Sequence, residues 1–264
     1  FYAESGGQIG DSGQLIGIEE TIDIIDTKKE NDLFIHKAKR LPKNLEGIFR
    51  AEVNQDKRSL IENNHTATHL LHAALREILG DHVQQRGSLV NDQSLRFDFS
   101  HFTKLSAEEL LAVEQQVNQK IRKNISLVER RSVPIEKAKE EGATALFGEK
   151  YGDHVRMIIF DAPYSVELCG GTHVKATGHI GMFKITSESS ISTGVRRIEA
   201  ITADMAESFL WQKIGLLDQI EQTLKHPSDT LKALQVLFNE KNELINQIEA
   251  FNKAKTKELK KTMM

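Results

Sequence analysis

Residues 1–58 alternate hydrophobic and polar positions over short distances. Two stretches, 21–25 and 33–35, show the two-residue period of β-strands, and 48–53 indicates a further strand. Several short strands in so short a segment favour a small β-barrel. A glycine-rich stretch, 5–13, lies ahead of these strands. It lacks the Walker pattern and precedes no helix, so a cluster of tight turns is favoured over a phosphate-binding loop.

The next segment, residues 59–80, changes to helical spacing. Its apolar positions recur every three or four residues: Ala67, Leu70, Leu71, Ala74, Leu75 and Ile78. Gly80 is a suitable C-terminal residue for such a helix. His65 and His69 are four residues apart within it, so both side chains project from one face, one turn apart.

Beyond this helix the pattern alternates between strands and short helices. Ser106 and Glu109 form a capping box that opens a helix ending near Lys123. Pro134 suits the first turn of another helix, which ends at Gly142. Strands are predicted in the following ranges: a hairpin within 83–99, then 126–133, 154–160, 164–168, 180–186 and 194–202.

From Asp204 onward the pattern is purely helical. Asp204 and Glu207 form a second capping box, and the sequence 226–228 interrupts the helix that follows. A second helix carries apolar residues at three- and four-residue steps, as in a helical hairpin or coiled coil. These C-terminal helices are a candidate surface for self-association.

The whole pattern predicts an α+β fold with an antiparallel sheet in its core. We expect three parts: a small β-barrel subdomain with the glycine-rich loop at 1–58, a core at 59–203, and the start of a helical hairpin or coiled coil at 204–264. The chain begins at Phe1 and ends in unfinished helical pattern at Met264, so we interpret it as part of a longer protein.

Composition narrows the class further. The 264 residues are 39% hydrophobic and 28% charged, which is typical of a globular protein and not of a disordered one. The net charge of −3 neither favours nor excludes nucleic acid, since a local basic patch is what binds a polyanion. A single cysteine excludes an internal disulfide, and no apolar run is long enough for a membrane span. We therefore expect a cytoplasmic protein with no membrane partner.

The single cysteine, together with the two histidines of the helix at 59–80, indicates a possible metal site. Cys169 and His173 lie four residues apart around Gly170 and Gly171, so a thiolate and an imidazole sit on one short arch. Two histidines on a helix and this second pair would complete a tetrahedral site. Sulfur and nitrogen ligands favour Zn²⁺ over Ca²⁺ or Mg²⁺, which prefer oxygen. Of the remaining histidines, His72 is the one nearest to such a site, one turn beyond His69.

The pattern leaves the role of the metal open. Four protein ligands describe a structural zinc site, whereas a catalytic zinc usually keeps one position for water. Alternatively, Cys169 is a nucleophile with His173 as its base, although His65 and His69 then have no role. A metallopeptidase is disfavoured because no glutamate follows His65, where the general base would lie.

At the level of motifs the chain resembles the editing region of alanyl-tRNA synthetase. The motifs that carry the resemblance, in order, are FYAESGGQIGD at 1–11, NHTATHLL at 64–71, GSLV at 87–90, CGGTH at 169–173 and GVRRIEA at 194–200. They cover essentially the whole chain. The core is also similar to the editing domain of threonyl-tRNA synthetase and to freestanding alanyl-tRNA editing proteins. The opening motif and the long C-terminal helices favour a segment of the synthetase itself.

This resemblance implies an activity and a partner. The activity is hydrolysis of the ester in tRNA(Ala) mischarged with serine or glycine, while Ala-tRNA(Ala) is left intact. A binding pocket for alanine cannot strongly reject glycine or serine, so a second, hydrolytic site is needed. The alternatives are a zinc-stabilised tRNA-binding module without hydrolytic activity and a freestanding editing protein.

The resemblance also assigns residues. The implied zinc ligands are His65, His69, Cys169 and His173. Thr68 is implied to read the hydroxyl of serine, and Gln85 and Ser88 to hydrogen-bond the ester or the attacking water. The glycines predicted to line the pocket are Gly6, Gly7, Gly170 and Gly171. An ATP-dependent aminoacylation domain would lie upstream, so this segment alone is not expected to activate alanine.

Overall fold

The computed structural model describes residues 1–31, 33–145 and 151–262, with side chains described to residue 259. It confirms the predicted α+β class. The strands are β1 (Gly13–Ile16), β2 (Thr21–Glu30), β3 (Leu33–Ala38), β4 (Arg50–Val53), β5 (Gln85–Val90), β6 (Leu95–Ser100), β7 (Val128–Pro134), β8 (His154–Phe160), β9 (Ser165–Leu168), β10 (Phe183–Ser192) and β11 (Val195–Thr202). The helices are α1 (Gln55–Leu79), α2 (Ala107–Arg122), α3 (Ile135–Glu140), α4 (Ala203–Thr223) and α5 (Thr230–Thr262).

The N-terminal strands form an open sheet, not the closed barrel that the sequence suggested. Their order is β3-β2-β1-β4, and among the described strands β3 and β4 each pair on one side only. Closure would require those two edges to meet. β4 spans only Arg50–Val53, and an irregular segment separates it from β3, so the edges stay apart.

Helix α1 is the central element of the molecule. It begins four residues earlier than the periodicity predicted, because the Asn54 side chain accepts a 3.0 Å hydrogen bond from the backbone N–H of Lys57. Gly80 ends it with a φ of 114°, a conformation that glycine adopts without strain. The middle of the helix is buried on nearly all sides, including its histidines.

Helix α1 packs with α2 against the central antiparallel sheet, whose order is β10-β11-β6-β5. The largest side chains of this core are fully buried: Leu70, Leu71, Leu75, Leu95, Phe97, Phe99 and Phe183. The capping box of α2 is present as predicted, with both the Ser106 and the Glu109 side chains bonded to backbone N–H groups. The hairpin predicted within 83–99 is β5 and β6.

A smaller antiparallel sheet, β7-β8-β9, packs with α3 around a second core that includes Val133, Met157 and Leu168. Strand β9 leads directly into Cys169. The glycine-rich N-terminal loop lies along the free edge of β5, where Val90 N–H donates to Gly7 O at 2.7 Å and Ile9 N–H donates to Val90 O at 3.1 Å. The loop is thereby held beside the histidines of α1.

The chain divides into two compact units, Phe1–Glu207 and Ser208–Met264. Helix α4 begins at Ala203, so Asp204 lies in its first turn and is not the N-cap that the sequence suggested. Many apolar side chains of α5 are exposed, including Leu231, Phe238 and Phe251, each more than half exposed. Self-association through these helices stays a prediction. Among the described residues, no helix combines the length and apolar character that a bilayer crossing requires.

Candidate metal centre

The helix places two imidazoles side by side in the interior. His65 and His69 are both buried, and their ring centroids lie 5.2 Å apart at nearly a right angle. Their helical spacing directs both rings toward the end of β9. Burial holds the pKa of His65 well below its usual range and lowers the pKa of His69 as well, so both rings are neutral near pH 7.

The turn 169–173 that follows β9, called the arch below, brings Cys169 and His173 next to His65 and His69. Cys169 Sγ lies 3.5 Å from His65 Nε2 and 3.4 Å from His173 Nε2. Burial, with the neighbouring imidazoles, also holds the pKa of His173 well below its usual range. One donor atom from each of His65, His69, Cys169 and His173 lies within 4.8 Å of the other three. The fold therefore unites the four residues that the sequence singled out.

This donor set fits zinc. Bonds of about 2.3 Å to sulfur and about 2.0–2.1 Å to nitrogen, at tetrahedral angles, separate neighbouring S and N ligands by roughly 3.5 Å. The two distances from Cys169 agree with that value. His69 Nδ1 is buried and has no hydrogen-bond partner among the described residues, which leaves it available as a ligand atom. Neutral imidazoles and a cysteine thiolate are the groups that bind zinc.

Gln8 orients the first histidine of the pair. Its Oε1 lies 2.7 Å from His65 Nδ1 and accepts a 2.9 Å hydrogen bond from the Thr172 backbone N–H. An amide oxygen can only accept, so His65 carries its proton on Nδ1 and keeps the Nε2 lone pair for a metal. Gln8 thus joins the N-terminal loop, α1 and the arch. Sequence reasoning named its neighbours Gly6 and Gly7 and missed Gln8 itself.

Thr66, the residue after His65 on α1, also contacts the arch. Its hydroxyl lies 3.1 Å from His173 Nδ1 and accepts a 3.2 Å hydrogen bond from the Val174 backbone N–H. These contacts favour His173 Nε2 as the ligand atom, as at His65. No sequence signal marks Thr66, because its partner lies more than a hundred residues away.

Glu167 connects the centre to a third histidine. One of its carboxylate oxygens lies 3.6 Å from His69 Nε2, and the other lies 3.2 Å from His72 Nδ1. Burial alone would raise the pKa of this carboxyl group, but His69 and His72 outweigh that effect and lower it. The sequence placed His72 near the site and gave no signal for Glu167.

Arg156 holds the arch from the strand side. Its guanidinium donates to the backbone carbonyls of Cys169 at 3.0 Å and Gly171 at 2.6 Å, and to Glu129 at 2.8 Å. Hydrogen bonds from Arg131 and Arg156 lower the pKa of Glu129 to about 2. The backbone carbonyl of Cys169 is therefore bonded to the Arg156 guanidinium, whose positive charge is paired with Glu129.

The predicted substrate residues lie on α1 and β5. The Thr68 hydroxyl donates to the Asn64 backbone carbonyl at 2.8 Å, within its own helix. Gln85 is the first residue of β5, and the pairing of β5 with β6 shifts register between Gln85 and Gly87, as at a β-bulge. Ser88 lies against Gly7, which has a φ of 85° and no room for a β-carbon. Their roles toward a substrate stay predictions.

Of the four predicted pocket glycines, two are closely packed and two are not. Gly171 is buried against the His65 ring and Gln8, and Gly7 is pressed against Ser88. Gly6 and Gly170 are exposed, and a β-carbon on either would meet no atom within 4 Å. Only Gly171 and Gly7 are therefore required by the local packing.

Comparison with known proteins defines the class to which this arrangement is similar. Residues 151–199 match the family model described as the Threonyl and Alanyl tRNA synthetase second additional domain. This stretch contains Cys169 and His173. It does not include α1, which carries His65 and His69.

Individual relatives extend the similarity to the whole chain. The chain is 56% identical over 263 residues to the alanine–tRNA ligase of Cytophaga hutchinsonii, covering 100% of the chain and 30% of that protein. It is 53% identical to that of Bacteroides fragilis, with 100% and 30% covered, and 50% identical to that of Flavobacterium psychrophilum, with 100% and 31% covered. The predicted resemblance to an alanyl-tRNA synthetase editing region is confirmed, and the chain spans about 30% of the length of the curated relatives it matches.

Proposed function

We propose that this chain is the editing part of an alanine–tRNA ligase and that it hydrolyses Ser-tRNA(Ala) and Gly-tRNA(Ala) while sparing Ala-tRNA(Ala). The observation that carries the proposal is the convergence of two histidines from α1 with Cys169 and His173, in a chain similar throughout to such ligases. The full-length protein would attach alanine to tRNA(Ala) with ATP in a domain outside this chain.

Zinc is the cofactor in this proposal. His65, His69, Cys169 and His173 would hold it, and when bound it would supply a Lewis acid that anchors the aminoacyl end of the tRNA. Gln8, Thr66 and Arg156 would keep the four side chains in place before the substrate arrives. Such preorganisation is what lets a site distinguish closely similar esters.

Thr68 is the proposed reader of serine. Its hydroxyl hydrogen is committed to the Asn64 carbonyl, so toward a substrate the oxygen acts as an acceptor. The hydroxyl of a seryl group can donate to it, whereas the methyl group of alanine cannot. Gln85 and Ser88 are proposed to hydrogen-bond the ester or the attacking water.

The proposal is tested by deacylation of purified Ser-tRNA(Ala) with three variants. Cys169→Ala removes one ligand and is expected to abolish most hydrolysis. Gln85→Ala is expected to slow it. Thr68→Val keeps the shape and removes one hydrogen bond, so a loss of a few-fold to ~10-fold in the preference for serine is expected. Wild-type rates in all three variants would end the proposal.

A second candidate is a zinc-stabilised tRNA-binding module without hydrolytic activity. The observation that favours it is that four protein ligands complete a tetrahedron and leave no open position for water. It predicts that the chain binds tRNA(Ala), unfolds when its metal is removed, and leaves Ser-tRNA(Ala) intact. The same deacylation assay therefore separates the two candidates.

A further inference from the structure

Helix α1 and strand β9 present matching rows of side chains to each other at the candidate metal centre. His65, His69 and His72 fall at positions i, i+4 and i+7 of α1, so their rings project from one face of the helix. Glu167 and Cys169 are two residues apart at the end of β9, so their side chains leave the chain on the same side. Cys169 Sγ lies 3.5 Å from His65 Nε2. The strand therefore brings a thiolate and a carboxylate to successive turns of the helix.

Glu167 lies next to the group of predicted ligands without belonging to it. The donor atoms that lie within 4.8 Å of one another come from His65, His69, Cys169 and His173. The Glu167 carboxylate is buried beside two rings of α1, with Oε2 3.6 Å from His69 Nε2 and Oε1 3.2 Å from His72 Nδ1. Any effect of Glu167 on a bound metal is therefore transmitted through His69.

The two nitrogens of His69 are in contrasting surroundings. Nε2 faces the Glu167 carboxylate, whereas Nδ1 is buried and has no hydrogen-bond partner among the described residues. A neutral imidazole has one N–H and one lone pair, and its N–H is stabilised beside a carboxylate. His69 therefore carries its proton on Nε2 and keeps the lone pair of Nδ1. His65 has the reverse arrangement, because Gln8 Oε1 lies 2.7 Å from its Nδ1.

The charges of the centre also call for a carboxylate. Three neutral imidazoles and one thiolate leave one net positive charge on a zinc ion, and a buried net charge is costly without an opposite charge nearby. Glu167 is only 5% exposed and lies beside one of the ligands. Glu129 is already paired with Arg131 and Arg156. Glu167 is therefore the carboxylate placed to balance the centre.

We propose that Glu167 is a positioning residue of the metal centre: it makes His69 bind zinc through Nδ1 and neutralises the remaining positive charge. His65 and His173 bind through Nε2, so the centre uses both kinds of ring nitrogen. His72 holds the second carboxylate oxygen and so fixes the orientation of Glu167. This inference rests on the zinc-dependent function proposed above. A ligand histidine whose other N–H faces a carboxylate is oriented for the metal and binds it more tightly.

The first test is the position of the proton on each ligand ring in the zinc-loaded wild-type chain. Long-range ¹H–¹⁵N correlation spectra of protein labelled at its histidine nitrogens distinguish a ring N–H from a metal-bound nitrogen. We expect two ligand rings, His65 and His173, to be protonated at Nδ1 and one, His69, to be protonated at Nε2. Any other pattern would overturn the proposal.

The second test compares Glu167→Gln with Glu141→Gln. Both replace a carboxylate by an amide of the same shape, but Glu141 is an exposed residue paired with Arg130. We expect Glu167→Gln to weaken zinc binding by roughly 10- to 100-fold in competition with a chromophoric chelator, and Glu141→Gln to bind zinc like the wild type. At saturating Co²⁺, Glu167→Gln should keep the cobalt–thiolate absorption band, because all four ligands remain. Wild-type zinc affinity in Glu167→Gln would overturn the proposal, and so would loss of that band.

His72 offers a matched pair of variants. His72→Leu removes the N–H that holds Glu167, whereas the amide of His72→Asn can replace that donor. We expect His72→Leu to weaken zinc binding by about 3- to 10-fold and His72→Asn to bind zinc nearly as the wild type does. Equal affinities in the two variants would contradict the role given to His72.

None of these measurements uses hydrolysis as its readout. A chain that meets all three expectations but leaves Ser-tRNA(Ala) intact would reject the proposed function and support the account of the metal centre. A wild-type chain that binds no zinc would overturn both.

Discussion

At the scale of single residues, the two glycines of the arch are in contrasting surroundings. A β-carbon on Gly171 would overlap the His65 ring and lie 2.7 Å from Gln8 Oε1, whereas one on Gly170 would meet nothing within 4 Å. Gly170 has space for a side chain, whereas Gly171, the next residue in the same turn, has none. This contrast makes the pair a sensitive probe of the predicted metal centre.

We predict that Gly171→Ala weakens zinc binding by at least ~10-fold, because it displaces His65 and the amide that orients it. Gly170→Ala should bind zinc like the wild type. Competition with a chromophoric chelator measures both affinities under the same conditions. Equal affinities in the two variants would contradict the close packing of Gly171 against His65.

The residues of the site differ in how far the sequence alone could reveal them. His65, His69, Cys169 and His173 stand out because each pair is local, with four-residue spacing on a helix or around a turn. Gln8 and Glu167 act through partners that only tertiary folding brings near: Gln8 bonds His65, 57 residues away, and Glu167 bonds His72, 95 residues away. No local pattern distinguishes such an amide or carboxylate from a surface one.

At the scale of elements, strand β8 carries the residue that holds the arch. Arg156 bonds two arch carbonyls and Glu129, whereas Arg131 bonds Glu129 and is largely exposed. The two arginines share one carboxylate but differ in their contact with the arch. Comparing them separates a role at the metal centre from a general contribution of surface charge.

We predict that Arg156→Met destabilises the zinc-bound fold by about 1–3 kcal/mol, since two partly buried carbonyls lose their charged donor. It should also weaken zinc binding. Arg131→Met should leave the free energy of unfolding close to that of the wild type, as expected for an exposed ion pair. Urea unfolding with zinc present measures both. An equal effect of the two substitutions would show that Arg156 does not support the arch.

Local signals predicted many elements well, and tertiary effects account for the differences. The Ser106 capping box and the β8 range 154–160 agree with the sequence pattern, because both depend on neighbouring residues. The start of α1 was missed because the Asn54 cap lies ahead of the apolar repeat. The predicted barrel is an open sheet, since alternation predicts strands but not which edges will pair.

At the scale of the whole molecule, the site is assembled from remote parts of one compact unit. The N-terminal loop supplies Gln8, α1 supplies the histidines, and the β9 arch supplies Cys169 and His173. A metal held by α1 and the arch, with Gln8 hydrogen-bonded to His65, stabilises the fold only while these segments are in place. Removing the metal is therefore expected to affect the proposed hydrolytic site as a unit.

The most direct measurement is deacylation of Ser-tRNA(Ala) and Ala-tRNA(Ala) by the purified chain, before and after treatment with a zinc chelator. We predict rapid hydrolysis of the seryl ester, little hydrolysis of the alanyl ester, loss of activity on chelation and its return when zinc is restored. Intact Ser-tRNA(Ala) in the presence of the zinc-loaded chain, or equal hydrolysis of both esters, would contradict the proposed editing function.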